Sequence, residues 1–161
     1  MRDRSRNGAV PDWYRDLTPY RKRSWGRAAG QLINTLIPYL ASMVVGIGSI
    51  AWGWPVWLTA LCLAPAPFFM VRTFILFHDC VHGSFLPSAR ANRVVGFITG
   101  VLTLTPYEPW RVSHLTHHGT TGQLDHRGIG DVNTMTVEEF NAAPLLKRLG
   151  YRLYRNPVVL F

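Results

Sequence analysis

Six histidines occur in the 161-residue chain, and five of them fall into two compact groups. His78 and His82 are four residues apart, and His114, His117 and His118 are spaced by three and four. Residues at that spacing share one face of an α-helix. Each group should therefore point its imidazoles in one direction, and two such faces brought together would surround a metal. Imidazole suits iron, zinc, copper and nickel alike. The two cysteines, Cys62 and Cys80, lack structural-zinc spacing. A helical zinc-protease motif needs Glu directly after its first His, where Asp79 and Leu115 stand.

The neighbours of these groups have two readings each. Cys80 is about 200° round the helix from both His78 and His82, which faces it away from them as a packing residue. Asp79, about 100° off the histidine face, either accepts from a histidine ring N–H or sits in solvent at a helix end. Asp125 and Asp131 either orient ligands or a lipid headgroup, or cap their own loop. His126 stands alone in a polar loop, with a structural role weighed against contact with the metal site.

The elements that must carry these residues are apolar. Hydrophobic residues make up 48% of the chain and charged residues 16%, against about 25% charged in soluble domains. Residues 1–30 form a basic segment, with Arg2, Arg4, Arg6, Arg15, Arg21, Lys22, Arg23 and Arg27 against Asp3, Asp12 and Asp16. The net charge of +8 lies beside long apolar runs, which favours retention at a cytoplasmic membrane face over nucleic-acid binding. Two runs, about 32–52 and 55–77, approach the roughly 20 residues a helix needs to cross a bilayer. Trp52, Trp54 and Trp57 mark the turn between them as interfacial. Pro65 and Pro67 should bend the second run, and Arg72 can snorkel to the cytoplasmic face. The first run follows a basic segment without a convincing cleavage site, so it reads as a retained anchor.

Residues 94–105 are apolar but too short to span easily, which predicts an interfacial helix that keeps both histidine groups on one side. Thr136 and Glu139 form a capping-box pattern. Leu145, Leu146, Leu149 and Leu153 oppose Lys147, Arg148, Arg152 and Arg155 on a basic amphipathic segment suited to a bilayer surface. Residues 157–161 look like the start of a third span. The expected fold is thus an all-α integral membrane protein. It has two transmembrane helices in a hairpin, plus cytoplasmic or interfacial helices that carry the histidines.

A histidine-rich site at the cytoplasmic end of membrane helices fits redox chemistry on lipid. Acyl C–H bonds offer nothing to a side-chain acid or base, and breaking them needs oxygen activated on iron. The protein then supplies ligands, orientation and a dry channel.

The motifs also carry a resemblance. His78-Asp79-Cys80-Val81-His82 resembles the first box (HxxxH) of membrane fatty-acid desaturases, and His114-Leu115-Thr116-His117-His118 resembles the second (HxxHH). The stretches Gly122–Val132 and Thr134–Phe140 are similar to the acyl-lipid omega-6 (Δ12) branch. The resemblance runs from about Trp25 to the end. It implies two non-haem iron ions, with His78, His82, His114, His117 and His118 among their ligands. It also implies O2, an electron donor such as ferredoxin or cytochrome b5, and a cis double bond placed in an acyl chain at a bacterial inner membrane. The family has a third histidine box far downstream, and no histidine follows His126. Residues 31–161 are therefore expected to be a truncated desaturase domain. Two alternatives stand beside this one. One is an alkane or carotenoid hydroxylase on the same scaffold; the other is a non-catalytic two-span metal-binding membrane protein.

Overall fold

The computed structural model describes residues 13, 16–128, 130 and 132–160. Asp131, Phe161 and most of the first fifteen residues lie outside the described residues. Among the described residues every regular element is helical. The chain divides into one unit ending at Glu108 and another beginning at Pro109.

Helix α1, Trp25–Ala51, has Pro38 in its interior. At 1.5 Å per residue it is about 40 Å long, more than the roughly 30 Å of a bilayer's hydrocarbon core. It begins at Trp25 rather than Leu32. Hydropathy sees only the apolar part, whereas Gly26–Gln31 continue the helix with Ala28 buried. Trp52 caps α1, Gly53 takes φ +67°, and Trp54 N donates to Ser49 O. Gly53 supplies the left-handed backbone that lets the chain reverse there.

Helices α2, Val56–Leu63, and α3, Ala66–Val81, follow. The expected bend is a break at Ala64-Pro65. Pro67 lies in the first turn of α3, where a missing N–H removes no helical hydrogen bond. Two helical stretches, Trp25–Ala51 and Val56–Val81, are long and apolar enough to cross a membrane.

Side-chain hydrogen bonds tie these helices together. Ser42 Oγ donates to Cys62 O at 2.6 Å, and Ser49 Oγ lies 2.8 Å from Thr59 Oγ1. Arg72 Nη2 donates to Asn34 Oδ1 at 2.8 Å. Partner numbers fall as the α1 numbers rise, so α1 and the α2–α3 pair run antiparallel. Arg72, expected to reach towards a membrane surface, is exposed and bonds α1 through Asn34. The buried face of α1 is small or hydroxyl-bearing, with Ala28, Thr35, Ser42, Gly46 and Ser49 besides Tyr39. Its exposed face carries Ile33, Ile37, Val44, Ile47 and Ile50. That distribution suits lipid, where close backbone approach and hydrogen bonds join helices in place of hydrophobic burial.

Helix α4, Ala89–Leu102, packs on α3. It starts at Ala89 rather than 94 because the Ser88 side chain caps it, accepting from Ala91 N at 3.3 Å. Arg90 and Arg93 are simply polar members of its first turns. It ends at Leu102, and Leu104 follows with φ 54°. Phe77 is fully buried and meets Tyr107 edge-on at 6.0 Å between ring centroids. Two glycines make room for these rings. A Cβ on Gly96 would stand 2.4 Å from Tyr107 Cε2, and one on Gly100 would stand 2.6 Å from Thr105 O.

The loop between α3 and α4 is held by one side chain. Asn92, only 2% exposed, accepts from Leu86 N at 2.9 Å. It donates to Leu86 O at 2.8 Å and Ser88 O at 2.9 Å. Removing a partner from buried polar groups costs about 1–3 kcal/mol for each group left unsatisfied. Asn92→Ala is therefore expected to destabilise the chain by roughly 3 kcal/mol. The measurement is the shift of the unfolding transition in detergent. An unshifted transition would show that the loop holds without Asn92.

The second unit contains most of helix α5, Tyr107–Thr120, whose first turn includes the division. Helices α6, Val137–Ala142, α7, Leu145–Tyr154, and the short α8, Pro157–Leu160, follow. The capping box of α6 is formed: Thr136 Oγ1 accepts from Glu139 N at 3.1 Å, and Glu139 Oε2 accepts from Thr136 N at 2.8 Å. Arg127 also ion-pairs with Glu139. The Thr136 backbone N–H, then Arg127, hold the Glu139 carboxyl below its ordinary value of 4.5. A lowered folded pKa gives stability that is present above the ordinary value and lost as pH falls through the lower folded one. Amide protection at the start of α6, relative to the intrinsic exchange rate at each pH, should accordingly fall only below about pH 4.5. In Glu139→Gln this acid-dependent step should disappear; a step that persists would assign the titration to another group. The four leucines of α7 are all exposed, as the amphipathic pattern predicts.

Candidate metal centre

The first histidine pair closes the C-terminal end of α3. His78 lies in the last turn and His82 is the C-cap, still with helical backbone. Their Nε2 atoms are 3.2 Å apart and the rings meet at 64°. Gly83, at φ +65°, turns the chain off the helix, and Ser84 N donates to Asp79 O at 2.9 Å. Asp79 Oδ1 stands 3.3 Å from His78 Nδ1, where a carboxylate would set which ring nitrogen faces outward. Cys80 is 1% exposed and packs in the core with Ala28, Leu76, Phe85 and Leu86. It faces away from the histidines, as the helical angle requires.

The second pair lies on α5. His114 and His118 have Nε2 atoms 3.0 Å apart and rings at 86°. Trp110, one turn earlier, stacks on the His114 ring at 4.2 Å and 17°. That indole fixes the plane of His114. Sequence reasoning passed over it, although its spacing of one helical turn was visible. His117 sits to the side, its ring centroid 6.2 Å from His114 and 5.7 Å from His118. It packs near Gly130, where a Cβ would come within 3.2 Å of His117 Cβ. Asp125 and His126 lie in an exposed 3-10 turn, Leu124–His126. Asn92, which holds the loop behind the first pair, was likewise missed by sequence reasoning, because its partners are backbone atoms of a loop.

Two nitrogens bound to one ion at about 2.1 Å stand roughly 3 Å apart. Each pair has that spacing, so each fits adjacent positions on a single metal ion. Nitrogen donors of this kind suit iron, zinc, copper or nickel.

These features define a class: helical proteins with spans able to cross a membrane and histidine pairs set one helical turn apart. Within it, the chain belongs to the fatty acid desaturase family, whose family model matches residues 52–160. It is 44% identical over 131 residues to a fatty acid desaturase of Bacillus subtilis (strain 168), covering 81% of this chain and 37% of that protein. It is 33% identical to an sn-1 oleoyl-lipid 12-desaturase of Synechocystis, over 73% of this chain and 34% of that one. A chloroplastic sn-2 acyl-lipid omega-3 desaturase (ferredoxin) of Helianthus annuus is 34% identical over 65% of this chain and 24% of its own length. The chain thus spans between about a quarter and two fifths of the length of these relatives. No solved structure matches it.

Proposed function

We propose that the protein acts in the insertion of a cis double bond into the acyl chain of a membrane lipid, at the omega-6 (Δ12) position. In this reading α1 and the α2–α3 pair cross the membrane as a hairpin, with the N-terminus and the histidines on the cytoplasmic side. His78, His82, His114, His117 and His118 hold two iron ions, which when bound supply the oxidant from O2 that attacks an unactivated C–H bond. The side chains of this chain do the rest. Asp79 orients His78 through its Nδ1, and Trp110 fixes the plane of His114. His126 and Asp125 would reach the site only from their exposed turn, and Asp131 lies nearby in sequence. A soluble donor of the ferredoxin type supplies electrons.

The observation that carries this reading is the matched geometry of the two histidine pairs, one helical turn apart with nitrogens 3.2 and 3.0 Å from each other. The relatives named for acyl-lipid desaturation support the substrate class, and the ferredoxin in the name of the Helianthus annuus relative supports that donor. The test is expression of the gene in its full reading frame in a host that lacks polyunsaturated lipids, followed by fatty-acid profiling. New diunsaturated acyl lipid is expected. An oxygenated product instead would make the protein a hydroxylase.

A further inference from the structure

The first unit has a cavity of about 440 Å3 at the N-terminal end of α1, lined by Lys22, Arg23, Ser24, Arg27, Gln31 and Asp79 among others. The Arg27 guanidinium donates to the Lys22 carbonyl, which ties the entering chain to the first turn of the helix. Ser24, the N-cap, makes no side-chain capping bond, and no acidic residue stands in the first turn. The partial positive charge at the start of this long helix is therefore not offset by its own first turn. Among the described residues, three cationic side chains against one carboxylate line the cavity, with the Ser24 hydroxyl and Gln31 amide as further hydrogen-bond donors. Such a cavity selects an anion with several acceptor oxygens.

Its depth indicates the source of that anion. Tyr20 lines the cavity, and Trp25 opens α1 beside it. They are 82% and 57% exposed, and such amphipathic rings settle at the headgroup level of a bilayer. The cavity thus lies at the polar end of an apolar helix, where lipid phosphates are. A concave site of this volume also matches a small ligand better than the flat contact of a protein partner.

We propose that this cavity binds the phosphate of a membrane glycerophospholipid, held by Lys22, Arg23 and Arg27. Asp79 forms part of its wall and is the sequence neighbour of His78. The assignment of that lipid as substrate rests on the acyl-lipid reading above; the phosphate site itself is tested without it.

The experiment is native mass spectrometry of the full chain, purified without iron in detergent, with phosphatidylglycerol as the probe. One bound lipid per chain is expected. The double variant K22Q/R23Q should weaken it about thirtyfold, at about tenfold or less per basic residue, and the charge-keeping K22R/R23K should retain it. The variant K147Q/R148Q, with the same charge change on α7, should leave it unaltered. Equal weakening by both glutamine pairs, or undiminished binding of uncharged diacylglycerol, would overturn the proposal. Inorganic phosphate binding as tightly as the lipid would assign the cavity to free phosphate. Lipid binding unchanged in K22Q/R23Q, with loss of an acidic protein partner instead, would make it a protein contact and overturn the lipid site. Because no iron is present, failure here leaves the desaturation reading standing, and failure to desaturate leaves this site standing.

Discussion

His114→Ala is expected to abolish the diunsaturated product, returning the host's lipids to their unmodified profile, and to lower the bound iron. The argument is geometric. His114 Nε2 stands 3.0 Å from His118 Nε2, so the loss of one imidazole removes one of two adjacent ligand positions and leaves the ion one donor short. Even changes to residues that only support a ligand cost about 10–100-fold in affinity or activity, and removal of the ligand itself should exceed that. Cys80→Ala supplies the contrast. Cys80 lies in the core, so its truncation should lower stability by about 1 kcal/mol and leave the iron content unchanged. Metal analysis and lipid profiling of the two variants side by side decide the matter. Full product from His114→Ala would remove it from the ligand set.

Gly100→Ala is expected to destabilise the chain by about 2 kcal/mol or more, whereas the same change at Gly30 should not. A glycine within a helix normally gains about 0.5–1 kcal/mol on replacement by alanine, because the unfolded chain loses freedom. Gly30 should show that gain, since nothing lies within 4 Å of its missing Cβ. At Gly100 a Cβ would meet Thr105 O at 2.6 Å and Phe77 Cε2 at 3.0 Å. The first of these is backbone, held by the Thr105 N–H donating to Gly100 O at 2.7 Å. It cannot swing aside as a side chain would, so the turn after α4 must open or α4 must move off α3. Overpacking of this kind costs about 1–3 kcal/mol. Gly96 should show a smaller effect of the same sign, because its nearest neighbour is the Tyr107 ring, which can rotate. Unfolding midpoints in detergent for the three alanine variants test the order. Equal effects at Gly30 and Gly100 would refute the close approach.

The sequence by itself determined what depends on residues within a turn or two of each other. The histidine pairs, the capping box of Thr136 and Glu139, the apolar runs and the core-facing position of Cys80, away from the histidines, all follow from helical periodicity and local hydrogen bonding. Hydropathy misplaced helix ends for the same reason. It weighs only apolar residues, while Ser88 and the small residues before Leu32 extend helices by capping and propensity. The tertiary structure alone decided the contacts between distant residues. Arg72 finds Asn34, Ser42 finds the Cys62 carbonyl, and Tyr39 donates to Leu102 O across 63 residues. Asn92 gathers a loop whose backbone groups leave no mark in the sequence. The cavity beside Asp79 draws on residues 20–31 and 79–85 together. Such contacts depend on which faces of which helices meet, and no local periodicity encodes that choice.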